Sequence, residues 1–230
     1  MKKIAILQSN YIPWKGYFDL IAKVDEFILY DDMQYTRRDW RNRNKIKTPN
    51  GLVWLTVPVE VKGKYLQKIN ETVISDPNWA KDHWVRIKQN YGKSKFFKNY
   101  KEIFENCYLN SHENYLSIVN YNLIKLINEI LGIHTKISWS SDYHLADGKT
   151  ERLLSLVEQS KGTEYISGPS AKDYIVEELF TNAGIKLTWM DYSNYPEYEQ
   201  LYGDFAHNVS ILDLLFNEGE NAKHFMKYLK

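Results

Sequence analysis

The chain has 230 residues, 43% of them hydrophobic and 26% charged, which is the composition of a soluble globular protein. Thirty Lys and Arg residues against 29 Asp and Glu leave a net charge of +1, so bulk positive charge does not steer the chain to nucleic acid, and we expect no nucleic-acid partner. The single cysteine, Cys107, excludes an internal disulfide and a cysteine-based metal cluster.

The amino-terminal sequence does not have the pattern of a targeting signal. Its apolar run, Ile4–Leu7, is too short for the core of a signal peptide, and no small-residue cleavage site follows it. No stretch of the chain approaches the length of a membrane span. We therefore expect a cytoplasmic protein without a membrane span.

The first 30 residues predict a strand, a helix and a second strand. Residues 3–8 are a compact apolar run, 16–24 have one apolar face, and 26–30 are apolar again. Strand, helix and strand in so few residues indicate a right-handed crossover between parallel strands, whose ligands lie at the carboxyl ends. This places Gln8–Trp14 and Asp31–Asn44 at the ligand-binding edge of the sheet.

The middle of the chain is predicted to be mainly helical. After a turn at Pro49, residues 52–59 predict a third strand and 69–74 a short further one. Aromatic and aliphatic residues then recur at helical spacing from 78 to 131, where Gly132 ends the last helix. We expect this largely helical insertion, at about 76–131, to cover the sheet.

The last 100 residues predict a second β-α-β unit. Strands are expected at 135–139, 164–167 and 185–191, with helices at 149–160 and 171–183 between them. Ser170 and Asp173 have the spacing of an amino-terminal cap for the helix at 171–183. Two further helices are expected at 210–216 and 222–229, and Ser210 and Asp213 have the same capping spacing. The fold class is therefore α/β, a Rossmann-like mostly parallel sheet flanked by helices, in a single domain over 1–230.

Residues 8–50 concentrate aromatic rings, amides, carboxylates and guanidinium groups, the mixture that a ligand pocket needs. A basic loop exposed to water is the alternative explanation for the arginines, but Trp40 and the neighbouring asparagines favour a site. The candidate binding residues of this stretch are Gln8, Asn10, Tyr11, Trp14, Tyr17, Asp19, Gln34, Tyr35, Arg37, Arg38, Trp40, Arg41, Asn42 and Asn44.

A second candidate binding loop follows the strand at 164–167. Ser167, Gly168 and Ser170 connect that strand to the next helix, where free backbone amides and the helix dipole favour an anion. An ordinary strand–helix connection explains the same residues equally well.

Four residues are candidate acids or bases. Asp31 and Asp32 directly follow a strand, although adjacent strand residues point apart and do not form a carboxylate pair. His144 and His207 lie in polar loops and have the side chain that most often acts as a general base. None of the six histidines has the spacing of metal ligands, so we expect no metal site.

Several long motifs resemble the WbqC-like protein family. They are QSNYIPWKGYFDLIAKVD, DDMQYTRRDWRNRNKIKTPNG and WLTVPV, followed in the same order by TERLL, YISGPSAKDYI and SILDLLFNEG. Members of this family occur among genes for bacterial surface polysaccharide, notably O-antigen. The resemblance implies a role in that pathway, and transfer of an acyl or aminoacyl group to an amino sugar fits the setting.

The main hypothesis is a transferase that acts on the amine of a nucleotide-linked amino sugar. Arg37, Arg38 and Arg41 would hold the diphosphate, while Trp14, Tyr17 and Trp40 would stack on base or sugar; an aspartate or histidine would deprotonate the amine. The donor stays open between an acyl thioester, on coenzyme A or on an acyl carrier protein as partner, and ATP.

Two alternatives remain. One is an ATP-dependent amide ligase, because residues 8–34 are loosely similar to the start of the nucleotidyltransferase-like α/β group that includes pantothenate synthetase; the histidine pair of that group is missing between Asn10 and Gly16. The other is a non-catalytic protein that binds a sugar nucleotide or glycan, which needs the same aromatic and arginine residues but no base.

Overall fold

The computed structural model describes residues 1–229. Its first part is a β-α-β unit followed by a hairpin. Strand β1 (Lys3–Leu7), helix α1 (Lys15–Ala22) and strand β2 (Glu26–Leu29) confirm the first predicted unit. Strands β3 (Arg43–Thr48) and β4 (Gly51–Thr56) then pair antiparallel as a separate two-stranded sheet.

The second part holds the helices and the remaining strands. Three helices lie between the hairpin and the next strand: α2 (Trp79–Tyr91), α3 (Phe97–Leu109) and α4 (Leu116–Leu131). The later elements are β5 (Lys136–Trp139), α5 (Lys149–Gln159), β6 (Glu164–Ser167), α6 (Glu177–Asn182), β7 (Lys186–Trp189) and α7 (Ile211–Glu218).

The main sheet has five strands in the order β5-β2-β1-β6-β7, and every neighbouring pair is parallel. The predicted α/β, Rossmann-like class is therefore confirmed. β1 lies at the centre, with β2 on one side and β6 on the other. The chain thus leaves β1 in one direction and later returns to its other edge.

Two hydrophobic cores cover the two faces of this sheet. Successive strand residues point to opposite faces, and Ala5 and Phe27 accordingly pack with α1, the hairpin, α2–α4 and α7. Ile4, Ile6 and Ile28 pack on the other face with α5 and α6. The protein is thus a three-layer structure with helices on both faces of a buried parallel sheet.

Three local predictions were wrong. The strand over 52–59 ends at Thr56 and belongs to the hairpin, not to the main sheet, and residues 69–71 form a 3₁₀ turn where a strand was expected. A continuous helix over 171–183 is replaced by a 3₁₀ turn at Pro169–Asp173 and the short α6, because Pro169 starts the turn directly after β6.

The capping predictions had different outcomes. Ser210 caps α7 by accepting a hydrogen bond from the Leu212 amide at 3.2 Å, as predicted. Ser170 is not a cap, because it lies inside the 3₁₀ turn. The helix expected at 222–229 is a 3₁₀ helix at Gly219–Phe225. In residues 1–229, none of the helices is long and apolar enough to cross a membrane.

Candidate functional site

The largest opening along the carboxyl edge of the main sheet lies where the strand order reverses. In open α/β sheets, the point at which connections leave a strand in opposite directions creates a crevice, and β1 with its neighbour β6 forms that point here. A cavity of about 560 Å³ occupies it, a volume typical of small-molecule sites. We call it the switch-point cavity.

Its walls come from the ends of three strands and the start of one helix. The residues that line it are Ile6, Leu7, Gln8, Tyr30, Met33, Arg41, Gly148, Lys149, Arg152, Leu153, Ser167, Gly168, Ser170, Ala171 and Tyr174. Both predicted binding loops, the one after β1 and the one after β6, therefore meet at a single cavity.

The charge of the switch-point cavity is one-sided. Arg41, Lys149 and Arg152 line it, and no Asp or Glu does so among the described residues. Gly148 and Lys149 also form the amino terminus of α5, whose backbone amides and dipole favour negative charge. The arrangement is chemically suited to a phosphate or carboxylate.

Arg152 reaches the cavity from the first turn of α5. Its Nε donates a 2.7 Å hydrogen bond to the Ala146 carbonyl, and one terminal nitrogen lies 3.9 Å from the Met33 sulfur. The guanidinium also lies near Tyr30, where burial raises the pKa of the phenol and the positive charge opposes that rise. Among the described residues no carboxylate forms an ion pair with Arg152, and none lines the cavity, so its charge is available to a ligand.

Arg41 enters from the opposite side and is held by the loop after β1. One terminal nitrogen donates to the Asn10 side-chain oxygen, and the other donates to the Gln8 side-chain oxygen at 3.2 Å. Asp39 lies 3.6 Å from the guanidinium, and the Asn120 amide donates to the Arg41 carbonyl at 2.9 Å. The amides fix the direction of the guanidinium, and its carboxylate partner, Asp39, lies outside the cavity lining.

Asp31 holds the loop after β1 in place through hydrogen bonds to its carboxylate. Its carboxylate accepts a 2.7 Å hydrogen bond from the Ser9 amide and another from the Ser117 hydroxyl. Burial raises the pKa of Asp31, while the hydrogen bonds from Ser117 and Ser9 lower it. With 1% of its surface exposed, Asp31 positions the loop that carries Gln8 and Asn10.

Asp32 points elsewhere, as expected for an adjacent residue. It accepts hydrogen bonds from the Ser140 hydroxyl at 2.5 Å and from the Asn70 amide at 3.3 Å. Its side chain keeps 11% exposure beside Lys68. The two carboxylates do not form a pair.

The loop after β1 has a strained backbone. Ile12 has a φ of 36°, a value that a β-branched residue rarely adopts. The Asn44 amide holds this shape by donating to the Tyr11 and Ile12 carbonyls at 3.1 and 2.8 Å, and the Tyr11 amide donates to the Trp40 carbonyl at 3.0 Å. Strain that the surroundings maintain is characteristic of functional sites.

A second, smaller cavity lies beside this loop. Its volume is about 160 Å³, and Asn10, Pro13, Trp14, Trp40, Asn44 and Asn208 line it. We call it the tryptophan cavity. Four of the predicted binding residues therefore meet in it.

Several predicted residues are buried and occupied with structural contacts. The Tyr11 hydroxyl shares hydrogen bonds with His83 and Tyr108 at 2.7 and 2.8 Å. The Tyr17 hydroxyl donates to the Gln8 carbonyl at 3.0 Å, which supports the loop. The Asp19 carboxylate accepts hydrogen bonds from the backbone amides of residues 227–229. The Asn42 side-chain amide donates a hydrogen bond to the Val57 carbonyl.

Other predicted residues lie away from both cavities. Gln34, Tyr35 and Arg37 line a separate surface cleft, where Arg37 donates to the Val61 carbonyl, and Arg38 is exposed. His144 is exposed, with its backbone paired to the Gln159 side chain. His207 is exposed and packs against Phe205. In residues 1–229, no three His, Cys, Asp or Glu residues gather as a metal site.

Lys149 and Arg152 are cavity residues that the sequence predictions did not include. Arg152 belongs to the family motif TERLL at the start of α5, which was the available signal. A basic residue in the first turn opposes the helix dipole, and this unfavourable placement points to a ligand role.

Comparison with known proteins assigns the chain to a family. The model of the WbqC-like protein family matches residues 8–225. A relative in Mycobacterium tuberculosis (strain ATCC 25618 / H37Rv), called Uncharacterized protein Rv1507c, is 54% identical over 230 residues, which is 100% of both chains. No solved structure matches the chain. The chain therefore belongs to the WbqC-like protein family.

Proposed function

We propose that this protein is a cytoplasmic enzyme of bacterial surface polysaccharide biosynthesis that transfers an acyl or aminoacyl group to the amine of a nucleotide-linked amino sugar. The observation that carries the proposal is the switch-point cavity, which three cations line without a carboxylate. Such a lining attracts an anion and disfavours a free cation. The occurrence of WbqC-like family members among genes for bacterial surface polysaccharide, notably O-antigen, suggests the polysaccharide setting.

In this proposal the diphosphate lies between Arg41 and Arg152. Each guanidinium offers a planar pair of donors that matches two phosphate oxygens. Lys149 adds a point charge, and the Ser167 and Ser170 side chains and the amides of α5 add neutral donors. Arg41 is the only one of the three predicted phosphate-binding arginines that lines this cavity.

The transfer step needs a base for the amine. Asp31 and Asp32 each accept two hydrogen bonds and neither lines a cavity. We assign the role to Asp32 because its side chain is the more exposed, 11% against 1% for Asp31. The amine nitrogen attacks the thioester carbonyl, Asp32 accepts the amine proton, the carbon–sulfur bond breaks, and the departing thiolate takes that proton from Asp32 to leave as the thiol.

A binding experiment tests the phosphate site. Calorimetric titration with uridine diphosphate (UDP) and with UDP-glucosamine compares wild type, Arg152→Ala and the matched control Arg37→Ala, which removes an exposed arginine outside the cavity. We expect Arg152→Ala to weaken both ligands by about 30-fold, since one charge-assisted pair is lost, and Arg37→Ala to have no effect. Equal Kd values for the two variants would contradict the proposal.

A product assay tests the chemistry. UDP-glucosamine is incubated with acetyl-coenzyme A or an acyl carrier thioester, and mass spectrometry detects the N-acylated sugar nucleotide. We expect Asp32→Asn to lose turnover by at least about 100-fold with the Kd for UDP-glucosamine retained. Product that forms only with ATP, magnesium and a free carboxylic acid, together with AMP, would favour the amide ligase.

A non-catalytic binding protein is the second candidate. Neither a carboxylate nor an imidazole lines the switch-point cavity among the described residues, which favours recognition without proton transfer. This candidate predicts the same Kd values and the same effect of Arg152→Ala, but no product with any donor. The product assay therefore separates the two candidates.

A further inference from the structure

The tryptophan cavity has a different chemistry from the switch-point cavity beside it. Asn10 lines the smaller cavity, and its side-chain oxygen accepts a hydrogen bond from Arg41, which lines the larger one. One hydrogen-bonded pair therefore stands between the two cavities. All of the residues around the smaller cavity are uncharged, so it offers no counter-charge to an ion.

Trp14 is a fixed wall of this cavity. It precedes the first turn of α1, and its ring packs edge-on against Tyr192 and Tyr195 with centroid distances of 5.3 and 5.6 Å. A Cβ atom at Gly16 would come within 2.3 Å of the Trp14 ring. Only glycine at that position lets the indole lie against the helix, so the chain holds this ring in place before any ligand arrives.

Trp40 is the more exposed wall. Its side chain is large and apolar, yet 40% of its surface is exposed. Its ring lies 5.3 Å from Trp54 at an angle of 47°, and Trp54 is covered in turn by the Arg43 guanidinium at 4.0 Å. The hairpin thus presents a supported indole to the cavity.

The polar groups divide into structural and available ones. The Asn44 side-chain amide donates to the Tyr11 and Ile12 carbonyls, and its oxygen accepts a hydrogen bond from the Lys45 backbone amide. Its polar atoms therefore hold the cavity wall in place. Asn10 uses only its oxygen, on Arg41. Asn208 is exposed. The Asn10 amino group and the Asn208 amide can therefore bind a ligand's hydroxyl groups.

We propose that the tryptophan cavity binds one uncharged pyranose ring. Indole rings pack against the apolar C–H face of a pyranose, and amides serve as donors or acceptors to its hydroxyl groups. A cavity of about 160 Å³ has room for a single ring and is too small for a whole nucleotide. The absence of charge in the lining disfavours a phosphate or a carboxylate there.

Together the two cavities make a sugar subsite and a phosphate subsite on either side of the Asn10–Arg41 pair. This part of the inference rests on the proposed function for the identity of the phosphate-bearing group. The sugar subsite itself is testable with neutral glycosides, which carry no phosphate and do not need the switch-point cavity.

Saturation-transfer NMR and titration test the inference with methyl glycosides of glucose, N-acetylglucosamine, galactose and mannose, and separately with UDP. The variants are Trp40→Ala, Asn208→Ala and the matched control Tyr65→Ala, which removes an aromatic ring that is 80% exposed and outside the cavity. We expect Trp40→Ala to weaken the best glycoside about tenfold and Asn208→Ala about threefold, with UDP unchanged. Tyr65→Ala should change neither.

The outcomes separate the sugar subsite from the proposed function. Wild-type protein that binds none of the glycosides, or Trp40→Ala that matches Tyr65→Ala, overturns the sugar subsite. Glycoside binding without any binding of UDP overturns the proposed function and leaves the sugar subsite standing. Arg152→Ala should weaken UDP and leave the glycoside unchanged, and a parallel loss of both would overturn the division into two subsites.

Discussion

The charged side chains at the two ends of the strands in the main sheet differ in whether they have partners within the chain. At the amino edge, Glu26 pairs with Lys2 at 2.7 Å and with Lys136 at 2.9 Å, and Glu164 pairs with Lys186 at 3.3 Å. At the carboxyl edge, the cations of the switch-point cavity face no carboxylate in its lining. The carboxylates of the amino edge have their cations within the chain, whereas the lining of the switch-point cavity at the carboxyl edge contains no negative group.

The difference distinguishes charged residues that stabilise the fold from charged residues that are available to bind a ligand. Burial alone would raise the pKa of Glu26, but hydrogen bonds from Lys2, Tyr143, Lys136 and Ser138 outweigh it and lower that pKa to about 2. The folded state therefore stabilises this carboxylate. The cations of the switch-point cavity have no carboxylate beside them in its lining, and an anionic ligand would supply the negative charge.

Arg152→Glu should have the largest effect, because it places a carboxylate in the lining of the switch-point cavity, which has none. The new carboxylate would face Arg41 across the cavity and repel the ligand phosphates. We expect the Kd for UDP to rise about 1,000-fold, or about 4 kcal/mol, and the midpoint of urea unfolding to stay level or rise. Arg37→Glu is the control with the same charge change, and an equal loss of affinity there would indicate bulk electrostatics.

Glu26→Gln should break the amino edge without touching the carboxyl edge. The change leaves two lysines without their buried partner, and we expect the free energy of unfolding in urea to fall by about 3 kcal/mol. The Kd for UDP should not change. Glu60→Gln removes an exposed pair with Lys64 and should cost less than about 1 kcal/mol. A loss of UDP binding in Glu26→Gln would contradict the separation of the two edges.

The free energy of unfolding should fall at acidic pH as Glu26 becomes protonated. Its pKa in the folded protein, about 2, lies below its usual value of 4.5. The stabilisation is therefore complete above pH 4.5 and is lost as the pH falls from 4.5 towards 2, with a slope of at most about 1.4 kcal/mol per pH unit. Urea unfolding between pH 6 and 3 measures it. A slope that is identical in Glu26→Gln would assign the effect to other groups.

Gly16→Ala should have the smallest effect of the four, and it acts on the loop between β1 and α1. The new methyl group would displace the Trp14 ring from the helix. We expect the free energy of unfolding to fall by about 1 kcal/mol and glycoside affinity to fall a few-fold, with UDP unchanged. Gly168→Ala is the comparison for stability and glycoside affinity only, since no atom lies within 4 Å of a Cβ placed there but Gly168 lines the switch-point cavity. Unchanged glycoside affinity would show that Trp14 is not a wall of the sugar site.

The sequence predicts the main sheet because its strands are short apolar runs. Buried parallel strands such as β1, KIAIL, and β2, EFIL, are apolar apart from their first residue, and this pattern is visible without a structure. Strand β3, RNKIKT, has no such pattern. Its polar residues are buried by contacts with distant groups, such as Lys47 with the carbonyl of Asp204 at 2.5 Å, so it resembled a basic loop.

The position of the site was predictable because the apolar strands were, whereas the identity of its cations was not. Both loops at the carboxyl edge followed from the positions of the strands, but which arginine enters the cavity did not. Arg37, Arg38 and Arg41 are equivalent in sequence, and only the amides of Gln8 and Asn10 select Arg41. Arg152 joins them because β6 pairs with β1 and brings α5 close, a contact between distant segments that local patterns do not contain.

The central position of β1 has a consequence for how the chain is made. One edge of β1 pairs with β2 almost at once, but its other edge awaits β6, where Lys3 meets Glu164. At typical ribosomal speeds, that partner emerges on the order of 10 to 30 s later. During this interval, an apolar strand presents unpaired backbone groups to other nascent chains. Slower synthesis or a deletion between β2 and β6 would change the yield of folded protein even where the finished fold is unaffected.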